Sequence, residues 1–159
     1  MTVRIHDGME ADARRTPLEG GLLGWAAIAM LGICLIALRI LPKTLTPYVR
    51  RFVQIWTGAL FCFFAGVHRG ASFYNPKGPQ LSDPVIFLAM HFFGLGVAMS
   101  PPRLSGQLAM AGTLATLAGD VHLARQNRLP RFFIRLRPSQ LLTAFVLIAL
   151  LARTAEKED

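Results

Sequence analysis

The stretch GLLGWAAIAMLGICLIALRIL, residues 21–41, carries one charge, Arg39, and decides the fold class. A helix rises about 1.5 Å per residue, so a stretch of this length matches the roughly 30 Å hydrocarbon core of a bilayer. Arg39 stands close to the end, where its stem can snorkel to the interface. Beyond it Pro42, Lys43 and Pro47 are expected to end the helix and form a basic turn. On the other side, Asp7, Glu10, Asp12 and Glu19 are mixed with Arg4, Arg14 and Arg15. That mixture argues against a secretory leader and a transit peptide, so residues 1–20 read as a polar tail and the first apolar segment as a retained helix.

Four further segments follow. The second spans 52–68, after Arg50 and Arg51, with Trp56 placed to anchor its start at headgroup level. A polar connection from Arg69 to Asp83 leads to the third, 84–99. The turn Ser100-Pro101-Pro102-Arg103 then implies an antiparallel hairpin with the fourth, 104–122. This fourth segment is the least hydrophobic, and Ala111, Ala115 and Gly119 stand four apart on one face. Small residues at that spacing predict close packing and a central place in the bundle. In residues 124–138, Arg125, Arg128, Arg131, Arg135 and Arg137 alternate with Leu129, Phe132, Phe133, Ile134 and Leu136. This is the pattern of a segment lying in the interface, with anionic phospholipid headgroups as first partner and protein docking as second. The last segment, 139–152, is apolar but short, and 154–159 form a polar tail.

The expectation is therefore an all-α integral membrane protein, one domain over residues 21–153 with about five transmembrane helices, four being the alternative count. With 53% hydrophobic residues, 16% charged ones and a mean hydropathy of +0.43, the composition agrees. The net charge of +8 does not imply nucleic acid, because a soluble DNA-binding domain would not carry membrane-length apolar runs. It reads as topology. Five crossings place ten Lys and Arg on the side of the N-terminus and seven on the other, which favours a cytoplasmic N-terminus in a bacterial inner membrane. Cys34 and Cys62 fall in separate apolar runs without CxxC spacing, and read as packing residues. No metal or resident cofactor is expected.

Ionisable groups at membrane depth mark candidate sites. His68 and Arg69 close the second segment in Ala-Gly-Val-His-Arg-Gly, where Gly66 and Gly70 also form GxxxG; Asp120 and His122 close the fourth. Both ends fall on one side, so the four residues are expected to meet. Three readings fit: a polar site built on an Arg69–Asp120 ion pair with two imidazoles beside it, a buried network that fixes helix packing, or two histidines ligating a b-type haem axially. His91 lies inside the third segment beside Phe92, Phe93 and Gly94, and reads either as part of a proton or quinone path or as a packing residue. No phosphate-cradling loop, nucleophile elbow or zinc-protease helix is present, so an enzyme is not expected.

The stretch from Gly58 through Cys62 and Ala65-Gly66-Val67-His68-Arg69 to Gly70 resembles the glycine-histidine-tryptophan-glycine helix end of the transmembrane protein 69-like family, a domain of unknown function shared by proteobacteria and mitochondria. Asp120, followed by Leu129-Pro130-Arg131-Phe132-Phe133-Ile134-Arg135-Leu136-Arg137 and Leu142-Thr143, is similar to that family's acid, Leu-Pro, aromatic pair, Leu-Arg and Leu-Thr. Arg69 stands where the pattern has tryptophan, and Phe132 where it has a larger aromatic. The resemblance covers roughly residues 56–143 and implies a five-helix membrane protein without supplying an activity. The functional expectation is a non-enzymatic accessory or assembly partner of a larger membrane complex, whose partners are other membrane subunits. The competing class is a redox or transport component that uses His68, His122 or His91.

Overall fold

The structure is a computed structural model that describes residues 18–73, 78–126, 128–129 and 131–156. The N-terminal tail up to residue 17, residues 74–77 of the polar connection, the last three residues of the C-terminal tail and the side chain of Arg131 lie outside the described residues. The described chain is all-helical: α1 Leu18–Ile40, a 3-10 turn Lys43–Leu45, α2 Thr46–Ser72, α3 Ser82–Met99, α4 Pro102–Arg125 and α5 Arg131–Glu156. By length and composition three of these can cross a membrane, over Gly21–Ile40, Ser82–Met99 and Arg135–Thr154. α2 and α4, with 27 and 24 residues, are long enough but carry more polar side chains.

Proline chemistry sets the boundaries. Pro47, expected in the basic turn, instead sits in the first turn of α2, where its missing N–H would have had no partner anyway. Ser100 is extended, as a residue before proline prefers, and its hydroxyl donates to the Gly96 carbonyl at 2.6 Å, closing α3. Pro102 then opens α4, and the Ser105 hydroxyl donates to Val97 O across the turn at 2.7 Å. The largest departure is residues 124–138. They are not one interfacial segment: α4 runs to Arg125, and α5 starts at Arg131 and continues through Pro138. The ring at Pro138 forfeits one backbone bond. The helix is held across that point because Arg137, one residue earlier, is bonded into α4.

Contacts between helices fix their directions. Trp56 Nε1 donates to Ala27 O at 3.0 Å, and Arg51 Nη1 to Ala98 O at 2.7 Å. Asp120 meets Arg137 at one end of the α4–α5 pair, and Gly106 meets Ala152 at the other. Gly24 lies against Gln140 near the beginnings of both α1 and α5. Sequence neighbours are therefore antiparallel, while α1 and α5 run parallel. α2 and α3 touch backbone to backbone: a Cβ on Gly58 would stand 2.5 Å from Gly94 O, and one on Gly94 would stand 2.6 Å from Gly58 O. Glycine at both positions permits that approach.

The core comprises Ile28, Leu31 and Cys34 of α1, Phe61 of α2, Val97 of α3, Ala109 of α4 and Ile148 and Leu151 of α5. Thr57, Ser105, Thr113, Thr116, Asp120, Arg137 and Gln140 are buried with it. The outer surface is apolar: Leu22, Leu23, Ile33 and Ile36 on α1, Val85, Leu88 and Phe92 on α3, and Leu142, Val146 and Leu150 on α5 are exposed. A soluble domain arranges these classes the other way. The expected small-residue interface of α4 is corrected here. Ala111 and Ala115 are exposed and a Cβ on Gly119 would meet nothing within 4 Å, whereas Gly112, one position away, receives the rings of Phe93 and Phe61. Gly66 and Gly70 likewise face open space rather than a helix.

Candidate functional site

Asp120 is the centre of the most buried polar cluster. Arg137 Nε of α5 donates to its Oδ2 at 2.7 Å, and His68 Nε2 of α2 stands 2.9 Å from its Oδ1. The three side chains are only 5–8% exposed, so a carboxylate on α4 ties α2 to α5 with almost no access to water. The Arg137 guanidinium also lies over the Phe64 ring, 3.9 Å from its centroid, with Phe133 at 5.6 Å. Stacking of this kind suits arginine, whose planar, weakly hydrated cation keeps its edges free for hydrogen bonds. Among the described residues three atoms of the cluster have no hydrogen-bond partner, His68 Nδ1, Arg137 Nη2 and Asp120 Oδ1, the last held to His68 only by its ion-pair distance.

A second ion pair lies at the same end of the bundle. Arg128, just beyond α4, pairs with Asp83 in the first turn of α3, and Asp83 also accepts the Gln80 N–H at 2.8 Å. Asp83 and Asp120 are the only acids between residues 20 and 155, and each takes an arginine from the basic stretch. That count was the available signal for the partner of each. Burial at these positions is affordable only for a paired charge.

Of the four residues expected to meet, the structure joins His68 and Asp120 alone. Arg69 turns away: its Nη1 donates to the Ser72 hydroxyl at 3.3 Å and its guanidinium lies 4.5 Å from the Phe73 ring centroid. The physical reason is helical geometry, because neighbouring residues point about 100° apart and cannot share one carboxylate. His122 is exposed, with its Nε2 3.0 Å from Gln126 Nε2. His91 is half-buried and packs beside Phe87 and Phe92, at 5.8 and 6.1 Å between ring centroids. Among the arginines assigned to lipid headgroups, Arg137 is buried and Arg128 is paired; both are corrected to helix-to-helix contacts. Arg125 and Arg135 are exposed.

Two apolar grooves flank the cluster. One, about 410 Å³, lies between α1, α2 and α5 and is bordered by Arg137 and Gln140. The other, about 430 Å³, lies between α2, α3 and α4 and is bordered by His68, His122, Ala111, Ala115 and Gly119. Arg137 of the Asp120 cluster borders the first groove and His68 the second. No family model matches the chain, and no curated protein or solved structure matches it.

Proposed function

We propose that this chain is a five-crossing protein of the bacterial inner membrane that acts, without enzymatic activity, as an accessory or assembly partner of a larger membrane complex. Helix direction supports the five crossings: α1 and α5 run parallel and α3 shares their direction, so α2 and α4 must return between them. Their polar side chains are compatible with that, since Ser105, Thr113, Thr116 and Asp120 of α4 are turned inward. The arginines gathered around the start of α5 agree with a cytoplasmic end there, with exposed Arg125 and Arg135 placed for anionic headgroups.

The observation that carries the partner reading is the outward face of α4. Asp120, His68 and Arg137 are engaged with one another between this protein's own helices, while Ala111, Ala115 and Gly119 stand open at the edge of a groove. Small residues facing outward admit the close approach of another helix. Affinity purification in mild detergent followed by mass spectrometry tests this. A membrane protein should be recovered in stoichiometric amount, and Ala115→Leu should deplete it roughly ten-fold, the effect of about 1.4 kcal/mol. Equal recovery by both proteins overturns the assignment of this face.

The redox reading rests on His68 and His122 bordering one groove. A haem spectrum in the purified protein, abolished by His68→Ala, would put it in place of the first. The likeness to the transmembrane protein 69-like family is part of the same proposal: its motif positions His68, Asp120 and Arg137 are the residues that meet in the buried cluster.

A further inference from the structure

We propose that the outward face of α4 pairs two copies of this chain as a parallel dimer, in which Gln107 meets Gln107 of the second copy inside the bilayer. The pairing rests on the partner face proposed above and names its occupant as the chain itself. Gln107, Ala111, Ala115 and Gly119 stand four apart on one ridge of α4. The first three are exposed, and a Cβ on Gly119 would meet nothing within 4 Å. Small residues on three successive turns admit a close backbone approach. Gln107 adds what lipid cannot answer. Its amide is exposed and makes no hydrogen bond with any other described residue. α4 begins at Pro102, so Gln107 lies about 7–8 Å along it. An amide that faces hydrocarbon is satisfied only by another protein group, and glutamines on neighbouring membrane helices supply such bonds to each other.

Symmetry selects the second copy. Two chains inserted with the same topology are related by a two-fold axis along the membrane normal, so identical residues meet at identical depth. The glutamine amide is its own electrostatic complement: each N–H donates where the other carbonyl accepts, and no charge is brought into the bilayer. Shape gives the same answer. At about 100° per residue, Ala115, Gly119 and Gly112 lie roughly 40°, 80° and 100° to one side of Ala111, and Leu114 and Val121 roughly 60° and 80° to the other. The groove of about 430 Å³ opens on the first side, while Leu114 and Val121, 46% and 38% exposed, stand on the second. A two-fold axis lays one flank of α4 against the opposite flank of its copy. Leu114 therefore reaches the mouth of the second copy's groove at the level of Ala111 and Ala115. A knob and a hole at one depth on opposite flanks of one helix are self-complementary. Arg125 stands at the last turn of α4, at headgroup level, where water and anionic lipid screen the two cations from each other.

The test is oxidative cross-linking of the full chain in its native membrane with copper phenanthroline. Ala111→Cys should give a disulfide-linked dimer. Wild type should not, since Cys34 is buried and the Cys62 thiol donates to His91 O at 3.4 Å. Nor should Ile33→Cys, whose side chain is exposed on α1. In liposomes, energy transfer between fluorescently tagged copies should give a dissociation constant that Gln107→Leu raises roughly three-fold, while Gln107→Asn, which keeps the amide, changes it less. No dimer from Ala111→Cys, or equal dimer from Ile33→Cys, overturns the pairing. So does a Gln107→Leu protein that associates as tightly as wild type, because its amide then faces water or headgroups. If Ala111→Cys stays monomeric while a different membrane protein is recovered with wild type and lost with Ala115→Leu, the second copy is excluded and the partner face stands. If neither a second copy nor another protein is found, both fail together.

Discussion

Replacing Asp120 by leucine should damage this protein more than almost any other single change. The substitution leaves Arg137, 4% exposed, with a cation whose nearest partner is gone and whose remaining neighbours are the Phe64 and Phe133 rings. Breaking a buried pair by removing one partner costs about 3–5 kcal/mol, a loss of at least a hundred-fold in the folding equilibrium. The full range applies because the side chains of the pair are 5–6% exposed, leaving little water to screen the orphaned charge. Changing both residues, as Asp120→Leu with Arg137→Met, removes the uncompensated charge and should recover all but about 1–2 kcal/mol. The assay is reversible unfolding in mixed micelles, followed by tryptophan fluorescence, on the wild type, both single variants and the double. A coupling of about 2 kcal/mol or more is expected. The same cycle between Asp120 and Arg69 should be additive within about 0.5 kcal/mol, since Arg69 bonds Ser72 instead. Additivity in the Arg137 cycle, or strong coupling in the Arg69 cycle, would refute the assignment of the clamp.

The glycines separate by what faces them. Gly58→Ala or Gly94→Ala puts a methyl against the facing backbone and should cost about 1–3 kcal/mol in the same unfolding assay, whereas Gly66→Ala, in open space, should gain about 0.5–1 kcal/mol from helix propensity. Ala115→Leu should leave the stability of the isolated protein within about 0.5 kcal/mol, because the side chain at 115 is exposed; a large loss would show that this face is packed in solution. Arg128→Ala removes the partner of buried Asp83 and should lower stability by about 1–3 kcal/mol, which the double change with Asp83→Asn would partly restore.

The helices that lie within apolar runs were legible because length and hydropathy alone decide them, as in residues 21–41 and 84–99. Their rotations were not. Whether Ala111, Ala115 and Gly119 or Gly112, Thr116 and Asp120 face inward is a turn of about 100°, and both sets repeat every four residues. Burial of Asp120 settles it: an acid on the inner face carries Thr116 and Gly112 inward with it and turns Gly119 to the edge. The same logic excludes His122, two residues along the helix, from the cluster. The choice of Arg137 over Arg69 was hidden because residues 124–138 alternate charge and apolarity in a way that suits an interface, and only the packing of α5 on α4 shows that Arg137 points inward. Gly58 and Gly94 carry no spacing signal at all, since each supplies one contact on a different helix.

The central proposal is that all five helices, alternating in direction, cross the bilayer, although among the described residues only three are apolar enough to do so on composition. Paired topology reporters, one inserted after Gly20 and one joined after Asp159, test it most directly. Five crossings put the two reporters on opposite sides, with the first active in the cytoplasm and the second in the periplasm. Reporters active on the same side would contradict it, because an even number of crossings cannot accommodate α1 and α5 running parallel through the membrane.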